Sequence, residues 1–111
     1  MRVTSALWVG AYLRRRNSDG AAALVARRGA EEAGAIFVIV DRLDGTSDLY
    51  GPAPQSAFDE AHPSDRKFQV VLERVGAEEI AKAIARETRF DPDVWVVVVE
   101  DRDGRASLEP A

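Results

Sequence analysis

Apolar and polar positions alternate along the chain in a pattern that marks helices near each end and strands between them. In "TSALWVGAYLRRR", Trp8 with Tyr12 and Val9 with Leu13 recur at the i, i+4 spacing of one helical stripe, and Thr4 or Ser5 precedes them as an N-cap. Arg14, Arg15 and Arg16 fall in the last turn, where cations meet the negative end of the helix dipole, and Gly20 supplies the stop. "AAALVARR" and "AGAIFVIVDR" then read as strands. The second joins "TSDLYGP" across Asp44 and Gly45, a dipeptide suited to a two-residue hairpin turn. Three antiparallel strands in a meander are expected. "GPAP" ends them, because Pro lacks the amide hydrogen a ladder requires, and the segment through "HPSD" reads as loop.

"KFQVVLERV" alternates Phe68, Val70 and Leu72 with Gln69, Val71 and Glu73, a fourth strand with some apolar character on its second face. "GAEEIAKAIARETRF" starts with acids and ends with bases, as the dipole prefers, and Ile80, Ala83 and Ile84 give it a narrow apolar stripe. Pro92 pushes Asp91 out of the helical region and ends this second helix. The valine-rich run after it is the last strand. The predicted fold is a single α+β domain over 1–111, a mostly antiparallel sheet of about five strands with two helices, in the order α-β-β-β-β-α-β. Residues 102–111 read as a frayed polar tail.

"VWVVVV" and "AIFVIV" make a demand the other strands do not. Val94, Val96 and Val98 point one way and Trp95, Val97 and Val99 the other; Ile36, Val38 and Val40 likewise oppose Phe37 and Ile39. Both faces of both strands need cover, so they are the central strands, in a position to be direct neighbours. Two helices with narrow stripes suffice for about one face of such a sheet. The other face is closed by one helix per face, by curling of the sheet, or by a second subunit. Because a large exposed apolar patch is unusual on a soluble monomer, the sequence favours association, through Trp95, Val97, Val99, Phe37 and Ile39.

Composition narrows the function classes. The 111 residues are 46% hydrophobic and 31% charged, an ordinary globular balance for one domain. A net charge of -4, from 15 basic and 19 acidic residues, repels phosphate unless the basic groups gather on one face. The chain has no Cys, so thiolate catalysis, disulfides and thiolate metal sites fall away, in keeping with a reducing compartment. The longest apolar run is far short of the roughly 20 residues of a spanning helix. The N-terminal stretch lacks a cleavage pattern, and a cytoplasmic location is the expectation.

"LWVGAYLRR", "ARRGAEEAGAIFV" and above all "DPDVW", followed by a β-rich run and "ED", resemble an uncharacterised alphaproteobacterial family, number 1491 among the domains of unknown function. The resemblance spans nearly the whole chain and is weakest from Gly51 to Arg66. It implies a small bacterial α+β domain and brings no catalytic residue, cofactor or partner with it.

The candidate chemistry is thin. His62, with Asp59, Glu60 and Asp65, offers hard ligands but one nitrogen, fewer than zinc sites use, and also reads as a solvated loop histidine. Asp41, Asp44 and Asp48 lack the alternate spacing and closing Glu of a calcium loop, and the hairpin accounts for Asp44. Asp91 and Asp93 stand a full strand away from Glu100 and Asp101, too far to share a proton-transfer task, and Asp91 suits the end of a helix. No phosphate loop, serine elbow or nucleophile pairing occurs, so no catalytic, cofactor or metal residues are assigned. Arg14, Arg15, Arg16, Arg27 and Arg28, near Trp8 and Tyr12, form the sharpest candidate, a basic patch for single-stranded nucleic acid. Against it, Trp8 and Tyr12 belong to the stripe that faces the sheet. The leading expectation is a non-enzymatic protein-interaction domain that forms a homodimer or binds a protein partner, with weak RNA or DNA binding second.

Overall fold

The computed structural model describes residues 3–54 and 66–108. Its elements are α1 (Ser5–Ser18), β1 (Ala22–Arg27), β2 (Ile36–Asp41), β3 (Ser47–Pro52), β4 (Phe68–Val75), α2 (Ala77–Phe90) and β5 (Trp95–Glu100), in the expected sequence order. Thr4 is the N-cap of α1, its hydroxyl accepting from the Leu7 amide at 3.2 Å. Gly20, at φ 90, turns the chain out of the helix while the Ala21 amide bonds back to the Arg16 carbonyl.

The strands lie in the order β1-β5-β2-β3-β4. The expected meander is incomplete: β5 enters between β1 and β2, antiparallel to the first and parallel to the second, so the sheet is mixed. The physical reason is burial. β2 and β5 are apolar on both faces and take the centre, whereas β1, rich in alanine, is left at an edge. The β2–β3 hairpin is also wider than a two-residue turn. Arg42 and Thr46 still bond across it, leaving Leu43, Asp44 and Gly45 as the loop, with Leu43 and Gly45 at positive φ. Asp44 holds this loop by accepting from both the amide and the hydroxyl of Thr46.

One helix packs on each face. Beneath α1 lie Ile36, Val38, Val40, Trp95, Val97, Val99 and Phe68, with Val9 and Tyr12 from the helix. Trp8 stacks on Tyr12 at 5.0 Å between ring centroids and leans on Phe68, so the aromatic stripe belongs to the core. Beneath α2 lie Phe37, Leu49, Val94 and Val96 with Ile80. The reading that left one face without a lid from this chain is thereby corrected. The expected frayed tail is packed as far as it is described: Ala106 is buried and Leu108 lies against the α1 side.

Candidate functional site

The end of α1 is an anchor for the tail. Val9, Tyr12 and Arg16 are buried at helical spacing, and Arg16 therefore lies on the core stripe. Its Nη2 donates to Asp101 Oδ2 at 3.1 Å and to the Arg105 carbonyl at 3.0 Å, and its Nη1 donates to Ser107 Oγ at 2.9 Å. Burial pushes the Asp101 carboxyl up, but the amides of Asp103 and Arg105 and the Arg16 guanidinium outweigh it and hold the group below the usual carboxylate range. The Tyr12 hydroxyl donates to the Ala106 carbonyl at 2.6 Å, and burial pushes its phenol up to about 12 against the pull of Arg16 and Arg15.

The "DPDVW" motif proves to be a structural lock. Trp95 donates from its indole nitrogen to the Ala30 carbonyl at 2.7 Å, and the Arg28 guanidinium stands over its ring at 5.3 Å. Gly29 and Gly34 make the fit possible, since a Cβ on Gly29 would sit 2.7 Å from Trp95 Cδ1 and closer still to the Asp93 carbonyl oxygen. Asp91 closes α2 by accepting from the Asp93 amide, as the sequence suggests. Asp101 is taken up by Arg16 at the far end of β5, so the two acidic pairs share no site.

The five arginines do not assemble into one patch. Arg14 is exposed, Arg15 lies beside Tyr12 and the Ser107 carbonyl, and Arg16 is buried. Arg27 donates to the Pro92 carbonyl and Arg28 is engaged by Trp95 and Glu31 at the opposite end of β1, about 17 Å away at ordinary strand rise. Each acid of the hairpin is also occupied. Asp41 accepts from the Leu43 amide, and buried Asp48 pairs with Arg42 at 2.8 Å and accepts from the Arg74 amide. His62 and its acidic neighbours lie outside the described residues.

The interface residues named from sequence are divided between the faces. Trp95, Val97 and Val99 are buried on the α1 side, whereas Phe37 and Ile39 lie on the α2 side, so they form no common surface. The reason is register: Trp95 pairs with Ile36 and Val96 with Phe37 in the parallel ladder, which sets the odd residues of β5 beside the even residues of β2. The available apolar surface is elsewhere. α2 packs over Leu49, Leu72 and Val75 and leaves a groove of about 500 Å³ on its β1 side, floored by Ile39, Val96 and Val98. Along one wall run Ala77, Ala81 and Ala85 of α2; Ala26 and Arg27 of β1 form the other. Leu24 beyond it is 56% exposed. Asp41 and Ser47 mark the end where α2 begins and Arg27 the end where it finishes. Its signal in the sequence is the alanine spacing 77, 81, 85, which reads as helix propensity unless the facing strand is known.

A mixed five-stranded sheet between two helices, with the polar clusters among the described residues tied into structural bonds, defines a small α+β domain. The chain belongs to the family described as protein of unknown function (DUF1491), whose model matches residues 3–109. It is similar to the solution structure of protein Atu0922 from A. tumefaciens, at 47% identity and a TM-score of 0.80, over 90% of this chain and 86% of that one. It is also similar to the crystal structure of a DUF1491 family protein from Caulobacter crescentus, at 37% identity and a TM-score of 0.78, over 99% and 97% of the two chains. No curated protein matches.

Proposed function

We propose that this chain is a non-catalytic protein-interaction domain that acts as a homodimer in the cytoplasm, with the α2 groove of each copy receiving α2 of the other. The observation that carries the reading is the match of charge along groove and helix. The groove has Asp41 at the start of α2 and Arg27 at its finish, while α2 has Glu78 and Glu79 in its first turn and Arg89 in its last. An antiparallel second helix brings its Glu78 to Arg27 and its Arg89 to Asp41, and Ala81 and Ala85 let the two helices approach closely. A two-fold axis makes both contacts twice.

Light scattering across a concentration series tests this. The wild type is expected to be a dimer, and Arg27→Glu or Glu78→Arg alone to weaken it at least tenfold, with the double exchange restoring it. A wild type that stays monomeric throughout the series would falsify the reading.

A further inference from the structure

β1 is an edge strand with few of the usual guards. Leu24 is 56% and Val25 37% exposed, and neither Pro nor Lys occurs from Ala22 to Arg27. Such an edge offers unpaired backbone groups to another strand. At Ala23, however, both groups are taken. Its amide donates to Asn17 Oδ1 at 3.0 Å, and Asn17 Nδ2 donates to its carbonyl at 3.3 Å. A primary amide carries an acceptor and a donor side by side, the same pair that a residue of a neighbouring strand presents. Asn17 lies in the last turn of α1, so Gly20 and the short link that follows return the chain directly beneath it.

We infer that Asn17 is an edge guard, a side chain that stands in for one residue of a sixth strand and keeps β1 from pairing with β1 of another copy. Two further features fit this role. The register shifts between Val25 and Arg27, so a bulge disrupts the edge just beyond the reach of Asn17. The occupant of an unguarded edge is also defined by the strand itself. Two antiparallel β1 strands centred on Leu24 set Ala23 against Val25 and Ala22 against Ala26, with no charge between them. Each Arg27 would then lie toward Asp19 and Glu100 of the other copy. This edge borders the α2 groove, whose wall includes Ala26 and Arg27, but the inference rests on Asn17 and Ala23 and not on that reading.

Asn17→Ala tests it. Asn17 is exposed and Ala is the better helix former, so the fold is expected to survive. Hydrogen exchange at the Ala23 amide should quicken at least tenfold in dilute protein, and light scattering should show assembly beyond the wild-type species as concentration rises. Adding Val25→Pro, which removes a donor from the same edge, should abolish that extra assembly while leaving wild-type association unchanged. Exchange at Ala23 no faster than in the wild type, a mass curve that overlays the wild type, or extra assembly that survives Val25→Pro each overturns the inference. Should Asn17→Ala fail to fold, Asn17→Ser, whose single hydroxyl cannot bridge both backbone groups, is read by the same three criteria.

Discussion

The two faces of the sheet are supplied by the same central strands and reach different ends. On the α1 side Trp95, Val97 and Val99 are at most 2% exposed; on the α2 side Ile39 and Val98 are only half-buried and Leu24 stands in the open. Geometry explains the difference. Five strands about 4.8 Å apart span roughly 19 Å, while one helix covers a strip of about 10–12 Å. Neither helix can close a face alone. The α1 face is completed by the large rings of Trp8 and Tyr12 and by the tail through Ala106 and Leu108. α2 presents Ala77, Ala81 and Ala85 toward the uncovered half, and no described segment lies over it.

The largest expected effect comes from cutting into the closed face. Trp95→Ala removes the buried ring, its bond to Ala30 and its contact with Arg28, and should cost about 4 kcal/mol in denaturant unfolding. Val98→Ala on the open face should cost less, about 1 kcal/mol or under, because the side chain is only partly buried and loses two methyl groups that already meet some water. Equal losses from the two substitutions would erase the distinction between the faces.

Next in size is the buried ion pair that fastens the tail. Arg16→Met leaves Asp101 buried with only Arg105, itself largely exposed, as its cationic partner, and should cost about 3 kcal/mol. The pair also gives the closed face a pH dependence of definite sign. Asp101 titrates below its ordinary value in the folded chain, so its contribution is full above about pH 3.9, the unfolded value, and is lost as pH falls from there through the folded one. The stability gap between the wild type and Asp101→Asn should therefore narrow on acidification below about pH 4. A gap unchanged down to pH 2 would mean that the carboxylate is not what Arg16 holds.

Much of the fold was legible because it follows from periodicity. Both helices and the central placement of β2 and β5 come from apolar spacing that one sequence displays in full, and the N-cap of α1 and the close of α2 at Asp91 come from local residue type. The position of β5 between β1 and β2 was not legible, because a parallel pairing leaves no local turn signal and depends on comparing the burial needs of distant strands. Arg16 shows a different failure. Its place on the stripe with Val9 and Tyr12 was visible in the spacing, yet a charged side chain in a last turn has a sufficient local explanation in helix capping. The partner that overrides it, Asp101, is 85 residues away. Asn17 is hidden for the same reason: as a polar residue near a helix end it is unremarkable until β1 is laid beside it. The candidate surface suffered most, since it is a space between elements and depends on which half of a face a helix leaves bare.

The smallest effect on the closed face is the most selective for how that face is sealed. Tyr12→Phe keeps the ring that stacks on Trp8 and removes only the hydroxyl that holds the Ala106 carbonyl, so the loss should be about 1 kcal/mol. Its signature is local. Amides from Arg105 to Leu108 should exchange faster while those of β5 keep their protection, because the tail loosens without the sheet opening. The wild-type phenol supplies a second readout. Its folded value, about 12, lies above the ordinary 10, so the stabilisation it reports is full below pH 10 and is lost as pH rises through about 12. Burial and nearby Asp48 also raise the Tyr50 phenol, so absorbance titration of the folded protein should show a late step near 12 that belongs to Tyr12, and that step should be missing in Tyr12→Phe. If the late step persists in the variant, the strongly shifted tyrosine is another one, and the hydroxyl of Tyr12 is not the bond that closes this face.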